Sequence, residues 1–212
     1  MTDSPLPLAV LISGSGSNLQ ALLDSERHGT DFVVSVVISD RHGVRGLERA
    51  RDAGIDTDVV QWTDFDSRTE FTAAVCSAAD RFDARALVLA GFMRILAPNA
   101  MAHFPEAIIN VHPALLPAFP GAHAVEHALE HGVTLTGVTV HFVDELVDHG
   151  SIILQEAVAV HPDDDRDSLH ARIQAVEHRV LPDAVAAFAR GSLTVQGRYV
   201  RWDRTPEGAG IQ

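Results

Sequence analysis

Along the first half of the chain, unbroken apolar runs alternate with segments of helical spacing. Residues 8–12 and 33–38 are continuous and largely β-branched or aliphatic, the pattern of strands covered on both faces. Between them, residues 18–24 carry helical periodicity, and a second helical pattern over 44–53 stops at Gly54. The alternation continues with a helix over 67–82, a strand over 86–92, a short helix around 98–103 and a strand over 108–111. Right-handed crossovers between such units imply a parallel sheet. In the second half, residues 134–143 and 151–160 are both strand-like, and the seven residues between them are too few for a parallel crossover. They are expected to pair antiparallel. A long helix over 168–190 comes after the run Asp163-Asp164-Asp165 and Asp167, whose carboxylates suit the positive end of a helix dipole. A final strand-like piece covers 193–202, and 203–212 reads as a flexible tail.

This order predicts an α/β, Rossmann-like fold: a mostly parallel central sheet flanked by helices, with an antiparallel strand pair in the C-terminal half. The whole chain is expected to form one domain, its halves spanning about 1–105 and about 106–202. Composition agrees with a real core. Of 212 residues, 46% are apolar and 21% charged, and a chain of this length buries roughly 70% of its extended surface on folding. The formal charge of −13 disfavours nucleic acid and anionic membranes as partners, so any phosphate site has to be local. All 16 basic residues are arginine, which excludes a Schiff-base lysine and a P-loop. Cys76 is the single cysteine, so neither a disulfide framework nor a cysteine-based zinc site exists within one chain; it reads as a buried helical thiol. No N-terminal run is long enough for export or membrane spanning, which places the expected location in the cytoplasm.

Three segments carry candidate chemistry. Ser13-Gly14-Ser15-Gly16-Ser17-Asn18 lies between the first strand and the first helix, where backbone amides form an anion site at a sheet's carboxyl edge. A plain tight turn gives the same residues, but the position favours phosphate. Asn110 and His112 sit two apart at a strand end, so their side chains leave one face together. Pro113 and the proline-rich stretch to Gly121 make a stiff connection directly after His112. An amide beside an imidazole suits an acyl-transfer intermediate, one group steadying an oxyanion and the other moving a proton, although a polar pair capping a strand looks alike. The loop from Asp144 to Gly150 holds three carboxylates; such loops are commonly just solvated, and the functional alternative turns Asp148 inward beside His112 to raise the imidazole's proton affinity. His123, His127 and His131 recur every four residues, a stripe that reads as a wet helix face in preference to a metal site.

Taken in order, these segments resemble the phosphoribosylglycinamide formyltransferases over nearly the whole chain. The carriers are Ser13 through Gln20, Phe65-Asp66-Ser67-Arg68, Leu89 through Leu96, Asn110-Val111-His112-Pro113 through Gly121, and Gly137 through Val143 with Asp148. The resemblance implies transfer of a formyl group from 10-formyltetrahydrofolate, as co-substrate, to the amine of phosphoribosylglycinamide in purine synthesis, with no metal required. It implies that Asn110, His112 and Asp148 are catalytic. Gly16, Ser17, Asn18 and Glu177 would bind phosphoribosylglycinamide, the first three at its phosphate and Glu177 at the ribose hydroxyls. Arg68, Met93, Arg94, Ile95, Leu96 and Asn110, with Asp144, Glu145, Leu146, Val147 and Asp148, would contact the folate. Small molecules are the expected partners, and the protein would act as a monomer or homodimer. Two departures stand out: Ala118 occupies a position where many members carry lysine, removing charge near the phosphate, and Asp148-His149-Gly150-Ser151 replaces a small residue and a proline, which implies a more mobile folate loop. A formyltetrahydrofolate hydrolase would keep the same trio and send the formyl group to water. A non-catalytic folate- or phosphometabolite-binding module is the alternative from another class.

Overall fold

The computed structural model describes residues 4–203; most of the expected tail, 204–212, lies outside the described residues. Nine strands form one sheet in the order β3-β2-β1-β4-β5-β6-β7-β9-β8. Strands β1 (Leu6–Ile12), β2 (Phe32–Ser39), β3 (Asp56–Val59), β4 (Ala86–Leu89) and β5 (Ile108–His112) run parallel to one another. Strand β6 (Leu135–Phe142) pairs antiparallel with β5, and β7 (Ile152–Ala159) antiparallel with β6, as the short connection requires.

Helices cover both faces. On one side, α1 (Ser17–Leu23), α2 (Arg45–Asp52), α5 (Ala124–Glu130) and the 24-residue α6 (Arg166–Ala189) bring Leu19, Leu22, Leu47, Val125 and Leu181 into one apolar cluster with Leu8, Val10 and Ile12 of β1 and Val138 and Val140 farther along the sheet. On the other, α3 (Arg68–Asp80) and α4 (Pro98–His103) pack Phe71, Val75 and Ala100 against Ala9, Leu11 and Leu87. Both faces of β1 are therefore apolar, which is why its sequence shows no alternation. Cys76 is buried in α3, and burial, with Asp80 nearby, pushes its thiol up to about 11. Among the described residues no helix is long and apolar enough to cross a membrane.

Several boundaries differ from the sequence expectation for identifiable reasons. The strand expected over 86–92 ends at Leu89 because the chain turns at Gly91, whose φ is +75°. Helix α6 begins at Arg166, two residues early, because Asp165 caps it: its carboxylate accepts from the Ser168 N–H at 2.8 Å while the Ser168 hydroxyl accepts from the Asp165 N–H at 3.0 Å. The piece expected as one strand over 193–202 is a hairpin, β8 (Leu193–Gln196) and β9 (Tyr199–Trp202), turned at Gly197 with φ +64°. Strand β3 and the 3₁₀ turn Trp62–Asp64 carry too little apolar pattern to be seen in the sequence.

Chain direction along the sheet order reverses between β1 and β4, since β2 and β3 lie to one side and β4 and β5 to the other. A crevice opens at the carboxyl ends of strands at such a switch point. Here it is stitched from both sides: the Ser13 N–H donates to the Gly91 carbonyl at 3.2 Å, and the Met93 N–H donates to the Ser13 hydroxyl at 2.8 Å. Gly16 and Gly46 pack backbone to backbone beside it. A Cβ on Gly16 would lie 2.5 Å from the Gly46 Cα, and Gly16 itself has φ +69°. Gly16→Ala therefore combines left-handed strain with overpacking and is expected to lower stability by about 2–4 kcal/mol, read as a lower urea midpoint at unchanged m-value.

Candidate active site

Strand β5 ends with Asn110 and His112 on the face that opens into the crevice, and Asp148 reaches them from the loop between β6 and β7. The Asp148 backbone is left-handed, φ +51°, held there by the bonds of its carboxylate. Oδ2 accepts from the Gly121 N–H at 2.7 Å and lies 3.4 Å from His112 Nδ1, while Oδ1 accepts from Asn110 Nδ2 at 3.4 Å. Gly150 lets the loop return so closely that a Cβ there would fall 1.8 Å from the Phe142 carbonyl oxygen. The three residues singled out in the sequence thus meet, although Asp148 is 36 positions from His112 along the chain.

A fourth side chain belongs to the same cluster and was not singled out. His141, 2% exposed, stands opposite Asn110 in the β5–β6 register. Its Nδ1–H donates to the Phe142 carbonyl at 2.7 Å, so Nε2 accepts from Asn110 Nδ2 at 3.1 Å, with Asp148 Oδ1 3.7 Å away. The alternating stretch Thr139-Val140-His141 marks His141 as a polar position on one strand face, but alternation does not say what that face meets. Thr139, on the same face, accepts from the Leu116 N–H at 3.0 Å and donates to the Ala114 carbonyl at 2.7 Å. It thereby holds the proline-rich segment beneath the site.

His112 is 4% exposed. Its Nε2–H donates to the Phe119 carbonyl at 2.8 Å. Burial is the largest influence and lowers its proton affinity below the ordinary imidazole value; Asp148 and the Phe119 carbonyl oppose this, and His141 adds to it. The expectation that Asp148 raises the affinity is met in direction by that one contact and outweighed by burial. Asp148 is largely shielded from water, which works against its charge, but the neighbouring His141 ring, the Gly121 amide and the His112 ring hold its carboxyl below the usual range. A carboxylate and a largely neutral imidazole therefore face each other in the free protein.

The glycine-serine turn forms a second cluster on the other side of the crevice. Asn18 Nδ2 donates to Glu177 Oε2 at 3.0 Å, and Gln174 Nε2 donates to the Ser17 hydroxyl at 2.8 Å. Burial pushes the Glu177 carboxyl up, against the Asn18 bond, and the Asn18 Oδ1 is buried with no partner. Arg49 braces the turn from α2 through the Ser15 carbonyl and the Gln20 side chain, both at 3.0 Å. Glu177 is thus brought 159 positions along the chain to the turn. Gln174 arrives with it, one helical turn away, and was not singled out.

A cleft of about 290 Å³ joins the Asn110, His112 and Asp148 cluster to an apolar wall, lined by Met93, Ile95, Leu96, Asn110, His112, His141 and residues 144–148. Phe92, also part of that wall, is stacked on Phe71 with ring centroids 6.3 Å apart, and Trp62 and Phe65 pack edge-on to Phe71. Arg94 lines the cleft, but its guanidinium is committed: it donates to Asp40 at 2.7 Å and lies over the Trp62 ring. Asp40 is buried, which opposes its charge, yet bonds from Ser13, Arg41 and Arg94 hold its carboxyl below the ordinary value. Arg68 is exposed at the first residue of α3 and does not line the cleft. His123 precedes α5 and His131 comes after it, so the histidine stripe is not a continuous helical face. Among the described residues no three His, Cys, Asp or Glu side chains are placed to hold a metal ion.

A Rossmann-like sheet with an Asn, His and Asp cluster at its switch point, between a glycine-serine turn and an apolar cleft, defines a group-transfer enzyme of the α/β class. Residues 6–185 match the formyl transferase family, and the chain belongs to that family. It is 42% identical over 187 residues to the phosphoribosylglycinamide formyltransferase of Escherichia coli (strain K12), covering 88% of each protein. It is 46% identical to the trifunctional purine biosynthetic protein adenosine-3 of Gallus gallus over 89% of this chain, spanning only 19% of that much longer protein. Among solved structures, glycinamide ribonucleotide transformylase 1 from Symbiobacterium toebii superposes with a TM-score of 0.90 at 47% identity, over 93% of this chain and 94% of that one.

Burial also holds His28 and His178 below the ordinary imidazole range, with Arg49 contributing at His178. Each of these groups, like His112, takes up a proton more readily in the unfolded chain. These histidines therefore withdraw stability as pH drops from about 7 to about 5, where unfolded histidines charge and buried ones resist, while Glu177, pushed up by burial, takes its proton more readily when folded and offsets part of that loss. Asp148 contributes with the same sign only lower, where unfolded carboxylates protonate. Urea midpoints across that window should decrease for the wild type and less steeply for His112→Gln.

Proposed function

We propose that this protein transfers the formyl group of 10-formyltetrahydrofolate to the amine of phosphoribosylglycinamide, a step of purine nucleotide synthesis. The observation that carries this reading is the meeting of Asn110, His112 and Asp148 at the mouth of a cleft between an anion turn and an apolar wall. The family relatives of matching length bear this name. The phosphate would rest on the turn of Gly16, Ser17 and Asn18, with Gln174 beside it, and the ribose hydroxyls on Glu177. The apolar wall of Met93, Ile95 and Leu96, with residues 144–148 opposite, would take the pteridine end of the folate. Arg94 would contribute backbone and shape to that wall, its charge being held by Asp40. Arg68 would meet only a part of the folate that extends beyond the cleft.

These positions set the chemistry. The acceptor's amine nitrogen attacks the formyl carbon, forming the new C–N bond while the carbonyl π pair moves to oxygen. Asn110 Nδ2 donates to a strong partner, His141, and to a weak one, Asp148 at 3.4 Å; the weak bond is the one readily exchanged for the developing oxyanion. His112 gains proton affinity as that negative charge grows beside it, so a ring held largely neutral in the free protein becomes a donor in the transition state. The proton comes from the attacking amine: Asp148 accepts it, directly or through water, and shares it with the His112 ring, which donates to the oxyanion until the intermediate collapses. Collapse of the intermediate breaks the bond to the folate nitrogen, which takes that proton and leaves as tetrahydrofolate. The hydrolase reading uses the same trio with water as nucleophile. The buried Asn18–Glu177 pair and the bonded Gln174–Ser17 pair favour a phosphorylated, hydroxylated acceptor over water.

His112→Ala and Asp148→Asn are expected to lower kcat by about 10²–10⁴-fold while leaving dissociation constants for both ligands within a few-fold. A spectroscopic formyl-transfer assay with and without phosphoribosylglycinamide checks this. Turnover that needs no acceptor identifies a hydrolase, and binding of both ligands without turnover identifies a binding module. Glu177→Gln should act on the other subsite, raising KM for the acceptor about tenfold with little change in KM for the folate.

A further inference from the structure

The loop 144–150 between β6 and β7 presents Asp148 and forms one wall of the cleft. Within itself it makes few bonds: the Leu146 N–H donates to Asp144 Oδ1 at 3.0 Å, and Leu146 is 60% exposed. Beyond the bonds that Asp148 makes to Gly121 and Asn110, it is fastened from outside by the turn between β8 and β9. Arg198 Nη2 donates to the His149 carbonyl at 2.9 Å, and Arg198 Nη1 lies 3.0 Å from His149 Nε2. That Nη1 is also 3.4 Å from Nδ1, so the guanidinium lies over the face of the His149 ring, and because a carboxylate only accepts, the His149 Nδ1–H donates to Asp144 Oδ2 at 2.7 Å. One residue beyond the loop, the Ser151 hydroxyl donates to the Gly197 carbonyl at 3.0 Å. The path Arg198 to His149 to Asp144 thus spans the loop from its last turn to its first residue.

The hairpin that supplies Arg198 is itself anchored to the sheet. Trp202 Nε1 donates to the Ile153 carbonyl at 3.1 Å, and Tyr199 pairs with Ile152 in parallel register. Both partners lie in β7, directly after the loop. The two residues expected to loosen the loop, His149 and Ser151, are the ones that receive and make these bonds.

We infer that Arg198, acting through His149, is a positioning residue for the cleft: the β8–β9 turn orders the loop before ligand arrives and so reduces the ordering left to be done on binding. This rests on the proposed reading of the cleft as the formylfolate site. Neither Arg198 nor His149 touches the reacting atoms. The contacts are exposed, so each is worth little to global stability; their effect is local, on the conformations open to seven loop residues.

Amide hydrogen exchange of the ligand-free protein, together with steady-state kinetics, tests this on the wild type, Arg198→Ala, Arg198→Lys and Arg201→Ala, the last an exposed arginine of the same hairpin. Arg198→Ala should speed exchange across 144–150 about tenfold and raise KM for 10-formyltetrahydrofolate about fivefold, with kcat and the acceptor's KM held within twofold. Arg198→Lys should recover part of both effects, since an ammonium can reach the His149 carbonyl but lacks the flat guanidinium that stacks on the ring. Arg201→Ala should change neither. Unchanged exchange in Arg198→Ala, an equal change in Arg201→Ala, or faster exchange with no change in folate KM would overturn the inference. The exchange comparison needs no substrate, so a wild type without turnover sinks the reading of the cleft while exchange still decides on the clamp.

Discussion

A carboxylate taken out of water has to be met by donors, and the need to satisfy Asp148 organises this site. Its two oxygens draw together an amide from the end of the proline-rich segment, a side chain and an imidazole from β5, and the loop between β6 and β7. Left unpaired at 11% side-chain exposure, such a charge would cost several kcal/mol or be lost by protonation. With these partners it stays ionised, and the left-handed backbone at Asp148 is held by the same contacts. Burial then sets the other half of the chemistry. The shell that keeps Asp148 charged also keeps His112 short of its ordinary proton affinity, so the pair is poised to share a proton once negative charge develops nearby.

The two ligand regions are coupled through the crevice at the sheet's switch point. Ser13 receives the Met93 N–H and sits beside Asp40, which pairs with Arg94. Displacing the glycine-serine turn therefore disturbs the apolar wall of the neighbouring cleft. Close approach of Gly16 to Gly46 fixes the turn from beneath, and Arg49 fixes it from the side. Short-range backbone contacts of this kind hold a site to tenths of an ångström, which long surface side chains do not.

Much of this was legible in the chain. Apolar runs fix strands covered on both faces, the seven-residue connection fixes an antiparallel pair, and Asn110 with His112 on one strand face has to project one way. The glycine-serine turn between β1 and α1 was readable because only glycine readily takes the left-handed backbone found at Gly16. His141 was not, because a strand's alternation tells which side chains share a face and is silent about the opposite strand. Gln174 escaped for a related reason: a helix repeat places it one turn from Glu177 without saying that Ser17 waits there. The hairpin at Gly197 was hidden since the flanking residues read as continuously strand-like.

Local sequence thus determined the elements, their order and the residues able to do acyl-transfer chemistry, because propensity and periodicity act over a few residues. Only the tertiary structure decided the proton affinities, the partners and the loop. The free energy of a buried charge depends on atoms brought from 36 positions away at His112, and that of the turn at Asn18 on a carboxylate 159 positions distant. The same holds for His149 and Ser151. Composition marks them as loosening, and the packing of a hairpin that starts 42 positions after Ser151 makes them a fastening.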